Sequence, residues 1–251
     1  MSSIAERRAA FRALHQSGCF VLPNPWDGGS AIRLARLGFK AIASTSAGAA
    51  WALGRADGEM TVDEVLEHLR FLVGITDLPV NADFEAGFAS SPEGVAISVA
   101  RCIETGVAGL SIEDRQGSGL YPLDEAVQRV RAARQAIERS GEDVVLVGRC
   151  EAFLLGQPDL EMTIARLAAY GQAGADCLYA PGIKDLASIA RVVATLDKPV
   201  NANLSGTGLS VAELADVGVR RVSVGGALAR ATWGAFEDFA GRLWAQGRLP
   251  G

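Results

Sequence analysis

The chain has 251 residues, is 49% hydrophobic and 21% charged, and carries a formal net charge of -5. That length buries a large core, as one α/β barrel or two small domains, while an acidic balance with no basic stripe argues against nucleic acid as a partner. The N-terminus has no apolar signal core, and the longest notable uncharged run, 41–54, is too short to span a bilayer, so no membrane association is expected.

The four cysteines (Cys19, Cys102, Cys150, Cys177) are scattered, with no CxxC pair. They read as reduced residues of a soluble, cytoplasmic protein. Residues 3–16 have a helical pattern with Ile4, Phe11 and Leu14 on one side, stopped by Gly18. Cys19–Leu22 is a short apolar strand ended by Pro23 and Pro25. Asp27 is a candidate cap for a helix over 30–37.

A repeat begins here. Four helices end in a glycine that leads straight into a strand: Leu37-Gly38-Phe39, Thr105-Gly106-Val107, Ala173-Gly174-Ala175 and Val217-Gly218-Val219. Glycine after a helix takes the left-handed position that other residues avoid. Pro79-Val80-Asn81-Ala82-Asp83 is echoed by Pro199-Val200-Asn201-Ala202-Asn203. Strands are predicted at 19–22, 40–45, 79–83, 108–113, 144–149, 176–180, 199–203 and 220–224, each followed by a helical pattern. Eight such units after one leading helix predict an α/β fold, a (β/α)8 TIM-type barrel with a leading N-terminal helix, as one domain over 1–251. A doubly wound sheet is the alternative. It usually shows a glycine-rich fingerprint after its first strand, where this chain has Pro23-Asn24-Pro25-Trp26.

In such barrels the active site lies at the C-terminal strand ends. The stretch Val80–Gly87 runs from an apolar strand into Asp83 and Glu85, which an extended backbone would put on the same side. Other strand ends add Glu113 and Asp114, Arg149 and Glu151, Asn201 and Asn203, and Ser223, Gly225 and Gly226. Strand 2 ends in Ser44-Thr45-Ser46-Ala47-Gly48, with Asp57 soon after. Converging carboxylates are costly unless paired or bound to a metal, and oxygen ligands suit Mg²⁺ or Mn²⁺. The only histidines, His15 and His68, fall on predicted helices, so zinc is not expected. Arg149 suits a substrate carboxylate. The 45–48 turn offers backbone N–H groups to a second carboxylate or an oxyanion. Cys150 follows Arg149 and reads as a small buried residue.

These segments together resemble the isocitrate lyase/phosphoenolpyruvate mutase superfamily. The resemblance rests on Asn24-Pro25-Trp26-Asp27, Thr45–Gly48 with Gly54-Arg55-Ala56-Asp57, Asn81–Gly87, Ile112-Glu113-Asp114 and Gly148-Arg149-Cys150-Glu151, and runs from about residue 10 to 246. It implies a (β/α)8 barrel that uses Mg²⁺ to break C–C or P–C bonds next to a small 2-oxo acid or dicarboxylate. It implies that Asp83 binds the ion directly and that Glu85 and Glu113 hold it mostly through water. Asp57 would sit near the reacting bond, Arg149 and Asn201 at the substrate, and the Ser46 and Ala47 backbone, with Thr45 and Gly48, around the oxo acid's oxygens. Family lyases carry a Lys-Lys/Arg-Cys-Gly-His segment after strand 4, whose cysteine is the acid/base. Here that segment is Arg115-Gln116-Gly117-Ser118-Gly119-Leu120-Tyr121-Pro122, a glycine-rich candidate lid, and Tyr121 or a metal-bound water is the substitute proton donor. A homo-oligomer, dimer or tetramer, is implied, although little sequence remains for the extra C-terminal helix that many members exchange. Two other readings compete. One is a phosphate-binding barrel, an isomerase or aldolase using Ser223–Ala227. The other is a non-catalytic binder of keto acids.

Overall fold

The computed structural model describes residues 2–248. Helix α1 (Ile4–Leu14) leads. It is followed by β1 (Phe20–Leu22), α2 (Gly28–Arg36), β2 (Ile42–Ala43), α3 (Ser46–Ala52), α4 (Val62–Ile75), β3 (Val80–Asp83), α5 (Pro92–Ile103) and β4 (Gly109–Glu113). A small ribbon, β5 (Arg115–Gln116) and β6 (Gly119–Leu120), precedes α6 (Leu123–Ser140), β7 (Val145–Arg149), α7 (Leu160–Gln172) and β8 (Cys177–Tyr179). The chain ends with α8 (Leu186–Thr195), β9 (Val200–Asn203), α9 (Val211–Asp216), β10 (Arg221–Ser223) and α10 (Ala227–Gln246).

Eight parallel strands form one sheet in the order β1-β10-β9-β8-β7-β4-β3-β2. The seam between β1 and β2 is joined by the Ala43 N–H donating to the Pro23 carbonyl, 3.0 Å. Asn24 staples the same seam: its Nδ2 donates to the Ser44 carbonyl, and its Oδ1 accepts from the N–H groups of Val224 and Gly225. The result is the predicted (β/α)8 barrel with its leading helix. The four helix-ending glycines, Gly38, Gly106, Gly174 and Gly218, all take positive φ, between 88° and 109°. Asp27 caps α2 as expected, accepting from the Ser30 N–H at 2.7 Å, so the helix starts two residues earlier than predicted.

Leu66, Leu69, Leu110, Ile112 and Leu146 belong to the main core that packs helices on the sheet. A smaller cluster, Phe11, Leu22, Ala41, Ala108 and Val145, fills the floor. Helix α1 plugs that floor with Phe11, and also with two buried arginines, Arg7 and Arg8. Arg7 donates to the Val73 and Thr76 carbonyls, and Arg8 donates to those of Ile103 and Val107. They satisfy chain-end carbonyls that would otherwise be buried unpaired. Gly109 leaves the floor open: a Cβ there would lie 2.7 Å from Asn81 Oδ1 and from Phe11 Cε1.

The 115–122 loop, expected as a glycine-rich lid, is a hairpin, with Arg115 opposite Leu120 and Gln116 opposite Gly119. The last helix, α10, is the eighth barrel helix; it has 20 residues, and its apolar side is exposed. Trp233, Phe236, Phe239, Leu243 and Trp244 are all exposed. Among the described residues no helix is long and apolar enough to cross a membrane.

Candidate active site

Strand register decides what meets at the barrel mouth. Glu113 lies opposite Arg149, Arg149 opposite Tyr179, Tyr179 opposite Asn201, and Asn201 opposite Arg221. Register partners point to the same face of a sheet, so this row faces inward together. Two adjoining cavities of about 300 and 310 Å³ open over it, and both are lined by Ser46, Asp57 and Arg149.

Arg149 is the centre of the acidic wall. Its Nη1 contacts Asp83 Oδ1 at 3.1 Å and Glu113 Oε2 at 3.4 Å, and its Nε donates to Glu151 Oε1 at 2.5 Å. Asp83 Oδ2 accepts from both the N–H and the Oγ of Ser46, each at 3.0 Å, and Ser46 Oγ also reaches Asp57 Oδ1 at 3.3 Å. Glu85 stands beside them, but not through strand alternation. Its φ is 45°, a left-handed conformation that is uncommon outside glycine, so the extended geometry expected past Asp83 is broken there. Asp83 therefore faces the first cavity, and Glu85 and Glu113 face the second.

The wall holds more negative charge than Arg149 balances. Burial, then repulsion from Asp83 and Asp57, pushes the Glu85 carboxyl up to about 7. Burial raises Glu113 well above the usual carboxylate range, against the pull of Arg149, while the surrounding carboxylates raise Arg149. Glu85 Oε1 is buried without a hydrogen-bond partner. Among the described residues no three acidic, histidine or cysteine side chains form a ready-made metal cage. The donor set still fits Mg²⁺, which keeps several waters and takes only one or two carboxylates directly. Asp83 and Glu113 share one arginine nitrogen, and the orphaned Glu85 oxygen lies beside them.

Known proteins show which family this barrel belongs to. The phosphoenolpyruvate phosphomutase family model matches residues 11–244. The chain belongs to that family. Its superfamily is that of isocitrate lyase and PEP mutase. A protein of Burkholderia cenocepacia J2315, provisionally described as a lyase/mutase, is 46% identical with a TM-score of 0.95, over 98% of this chain and 90% of that one. The structure of 2,3-dimethylmalate lyase is 30% identical with a TM-score of 0.88, over 99% of this chain and 90% of that one. The oxaloacetate decarboxylase of Chromohalobacter salexigens is 34% identical over 86% of this chain and 77% of its own length.

Against the family pattern, several expected residues fall elsewhere. Tyr121 lines neither cavity. It is buried, and its ring lies under the Arg129 guanidinium at 4.1 Å, because the β5–β6 hairpin turns it toward α6. Asn201 lies below the first cavity, donating to Ser223 Oγ and accepting from Arg221 Nε. Asn203, two residues on, is the one that reaches the lining. Thr45, Ser46 and Ala47 line the cavity, whereas Gly48 is buried inside α3 and gives its N–H to Thr45 Oγ1. Asp114 faces away from the mouth. It accepts from the Glu151 N–H, Arg166 and Tyr170, and so fixes the segment that carries Glu151. Cys150 is buried, and burial pushes its thiol up to about 12. His15 caps the end of α1 and His68 lies on α4, both clear of the two cavities. Tyr179, Lys184 and Arg221 are among the cavity-lining residues missed from sequence, and Asn24 enters only as part of the resemblance. A tyrosine ending an apolar Cys-Leu-Tyr strand reads as core, and only the strand-end rule could have singled it out.

Proposed function

We propose that this chain is a Mg²⁺-dependent lyase or decarboxylase. It cleaves a C–C, or P–C, bond adjacent to a small 2-oxo acid or dicarboxylate through an enolate. The observation that carries this is the acidic wall: Asp83, Glu85 and Glu113 crowd one arginine, and a buried carboxylate oxygen has no partner. Asp83 would hold Mg²⁺ (or Mn²⁺) directly, with Glu85 and Glu113 holding it through water. When bound, the ion supplies positive charge to oxygens that become negative as the bond breaks.

The chain's own groups do the rest. The Arg149 fork binds the substrate carboxylate while Glu151 keeps it oriented. The N–H of Ser46, now held by Asp83, is the group an oxo-acid oxygen can claim, with Ala47 beside it. Asp57, on the border of both cavities, stands next to the reacting bond. The phosphate-barrel reading loses support, because the N–H groups of Val224 and Gly225 are already taken by Asn24. The exposed apolar side of α10 supports a homo-oligomer, and the free cysteines support a reducing, cytoplasmic location.

The decisive experiment is a Mg²⁺-supplemented screen of 2-oxo acids and 2-alkylmalates, read by pyruvate or CO₂ release. Full turnover in excess EDTA would sink the metal reading. Tight oxalate binding with no turnover of any 2-oxo acid would instead favour a non-catalytic binder.

A further inference from the structure

The lyase reading needs a proton donor, a side chain of the chain itself or, in its place, a metal-bound water. When the bond breaks, its electron pair ends on carbon, and that carbon must gain a proton before product leaves. The hairpin carries no cysteine, lysine or histidine, Tyr121 faces α6, and Cys150 is sealed against Asp114. Outside the acidic wall, most hydroxyls of the first cavity belong to serine and threonine, which are too weakly acidic to serve. The phenol of Tyr179 and the ammonium of Lys184 remain.

Tyr179 is built into the site and Lys184 is not. Tyr179 ends β8, lies between Arg149 and Asn201 in the inward row, and is 7% exposed. Its ring faces the Arg149 guanidinium at 5.3 Å. Its phenol oxygen accepts from Asn203 Nδ2 at 3.0 Å, and Asn203 is itself fixed by the Ser205 N–H at 2.8 Å. Behind it runs a relay of dipoles. Asn201 Nδ2 donates to Ser223 Oγ, and Asn201 Oδ1 accepts from Arg221 Nε, each at 3.0 Å. A buried cation thus stands behind the phenol, through the Asn201 amide and the Ser223 hydroxyl beside Tyr179. Lys184 is on the exposed rim, off this row.

We propose that Tyr179 is the proton donor to the carbon that bond cleavage leaves with an electron pair. The phenol O–H breaks and a C–H bond forms. The phenolate is held by Asn203 Nδ2 and the positive charge of Arg149 until it recovers a proton from water. Burial keeps the phenol neutral beforehand, raising it above its ordinary value, while Arg149, Ser223 and Asn203 stabilise the charged form. This assignment rests on the lyase reading.

The test uses pyruvate in D₂O with Mg²⁺, following exchange of the methyl protons by NMR, which runs the proton step alone in both directions. Oxalate affinity, measured by calorimetry, reports the intact site separately. Tyr179→Phe keeps the ring over Arg149. It should slow exchange at least ~100-fold while oxalate still binds with its wild-type affinity. Lys184→Met separates the rival donor. If Tyr179→Phe exchanges at the wild-type rate, or if Lys184→Met alone abolishes exchange, the assignment is overturned. Loss of oxalate binding together with exchange in Tyr179→Phe also overturns it, since the phenol would then only position Arg149. If the wild-type protein cleaves a 2-oxo acid yet exchanges nothing, the assignment alone falls. If it neither cleaves nor exchanges, the lyase reading falls and takes the assignment with it.

Discussion

Arg149 and Arg221 stand on one inward row of the barrel, in opposite company. Arg149 meets three carboxylates, and a fourth, Glu85, lies close by. Arg221, 3% exposed, meets the amide oxygens of Asn201 and Asn81 and, among the described residues, no carboxylate. The rim therefore carries surplus negative charge that a second cation would relieve. Below it, Arg221 is satisfied by neutral dipoles and asks for no counter-ion. The same residue type serves chemistry in one place and architecture in the other, and the surroundings decide which.

The comparison breaks first at the rim. Asp83→Ala should abolish Mg²⁺-dependent turnover, a loss of roughly 3–4 kcal/mol of barrier stabilisation or more, with an unchanged circular dichroism spectrum. Turnover comparable to wild type would remove the rim's distinction. Next in size, Arg221→Met should lower stability by about 1–3 kcal/mol in urea melts, because two buried amide oxygens lose their donor. Mg²⁺ affinity measured by calorimetry should stay near wild type. A large loss of affinity would show that the floor, too, belongs to the ion site.

The third test sharpens the electrostatics. Glu85 is raised from 4.5 to about 7, so between those values the folded protein binds the extra proton. Metal-free stability should then fall as pH climbs from 4.5 to 7 and level off above. Mg²⁺ should raise the melting temperature more at pH 8 than at pH 5.5, where protons compete with it. An equal rise at both would contradict the surplus-charge picture. Smallest for the site itself, Phe236→Asp on α10 should shift the sedimentation coefficient toward a smaller species, with each barrel's oxalate binding preserved.

The barrel was legible because every unit carries its own punctuation. Gly38, Gly106, Gly174 and Gly218 mark helix ends, and Pro79 and Pro199 announce strands. The acidic wall was legible for a related reason: strand ends converge in a closed barrel, so Asp83, Glu113 and Arg149 could be read one by one. What escaped depends on turns and on distant partners. The left-handed Glu85 divides the carboxylates between two cavities, which no alternation rule foresees. Tyr121, expected with a metal-bound water as one of two proton donors by its place in the loop, is swung away by a hairpin with a two-residue turn. Asn24 staples residues 20 and some 200 positions ahead of it, a tie that local patterning cannot show.

The arginine plug beneath the barrel also sets an order of events during synthesis. Arg8 must find carbonyls at Ile103 and Val107 and the carboxylate of Glu142, the last lying 134 residues downstream, and β1 must pair with β10 near Arg221. At ribosomal speeds of about 5–20 residues per second, helix α1 waits on the order of 10 s after it emerges before the Glu142 carboxylate exists. The earliest helix made is among the last to be fully seated, and a nascent chain stalled before residue 142 would leave Arg8 without its carboxylate partner.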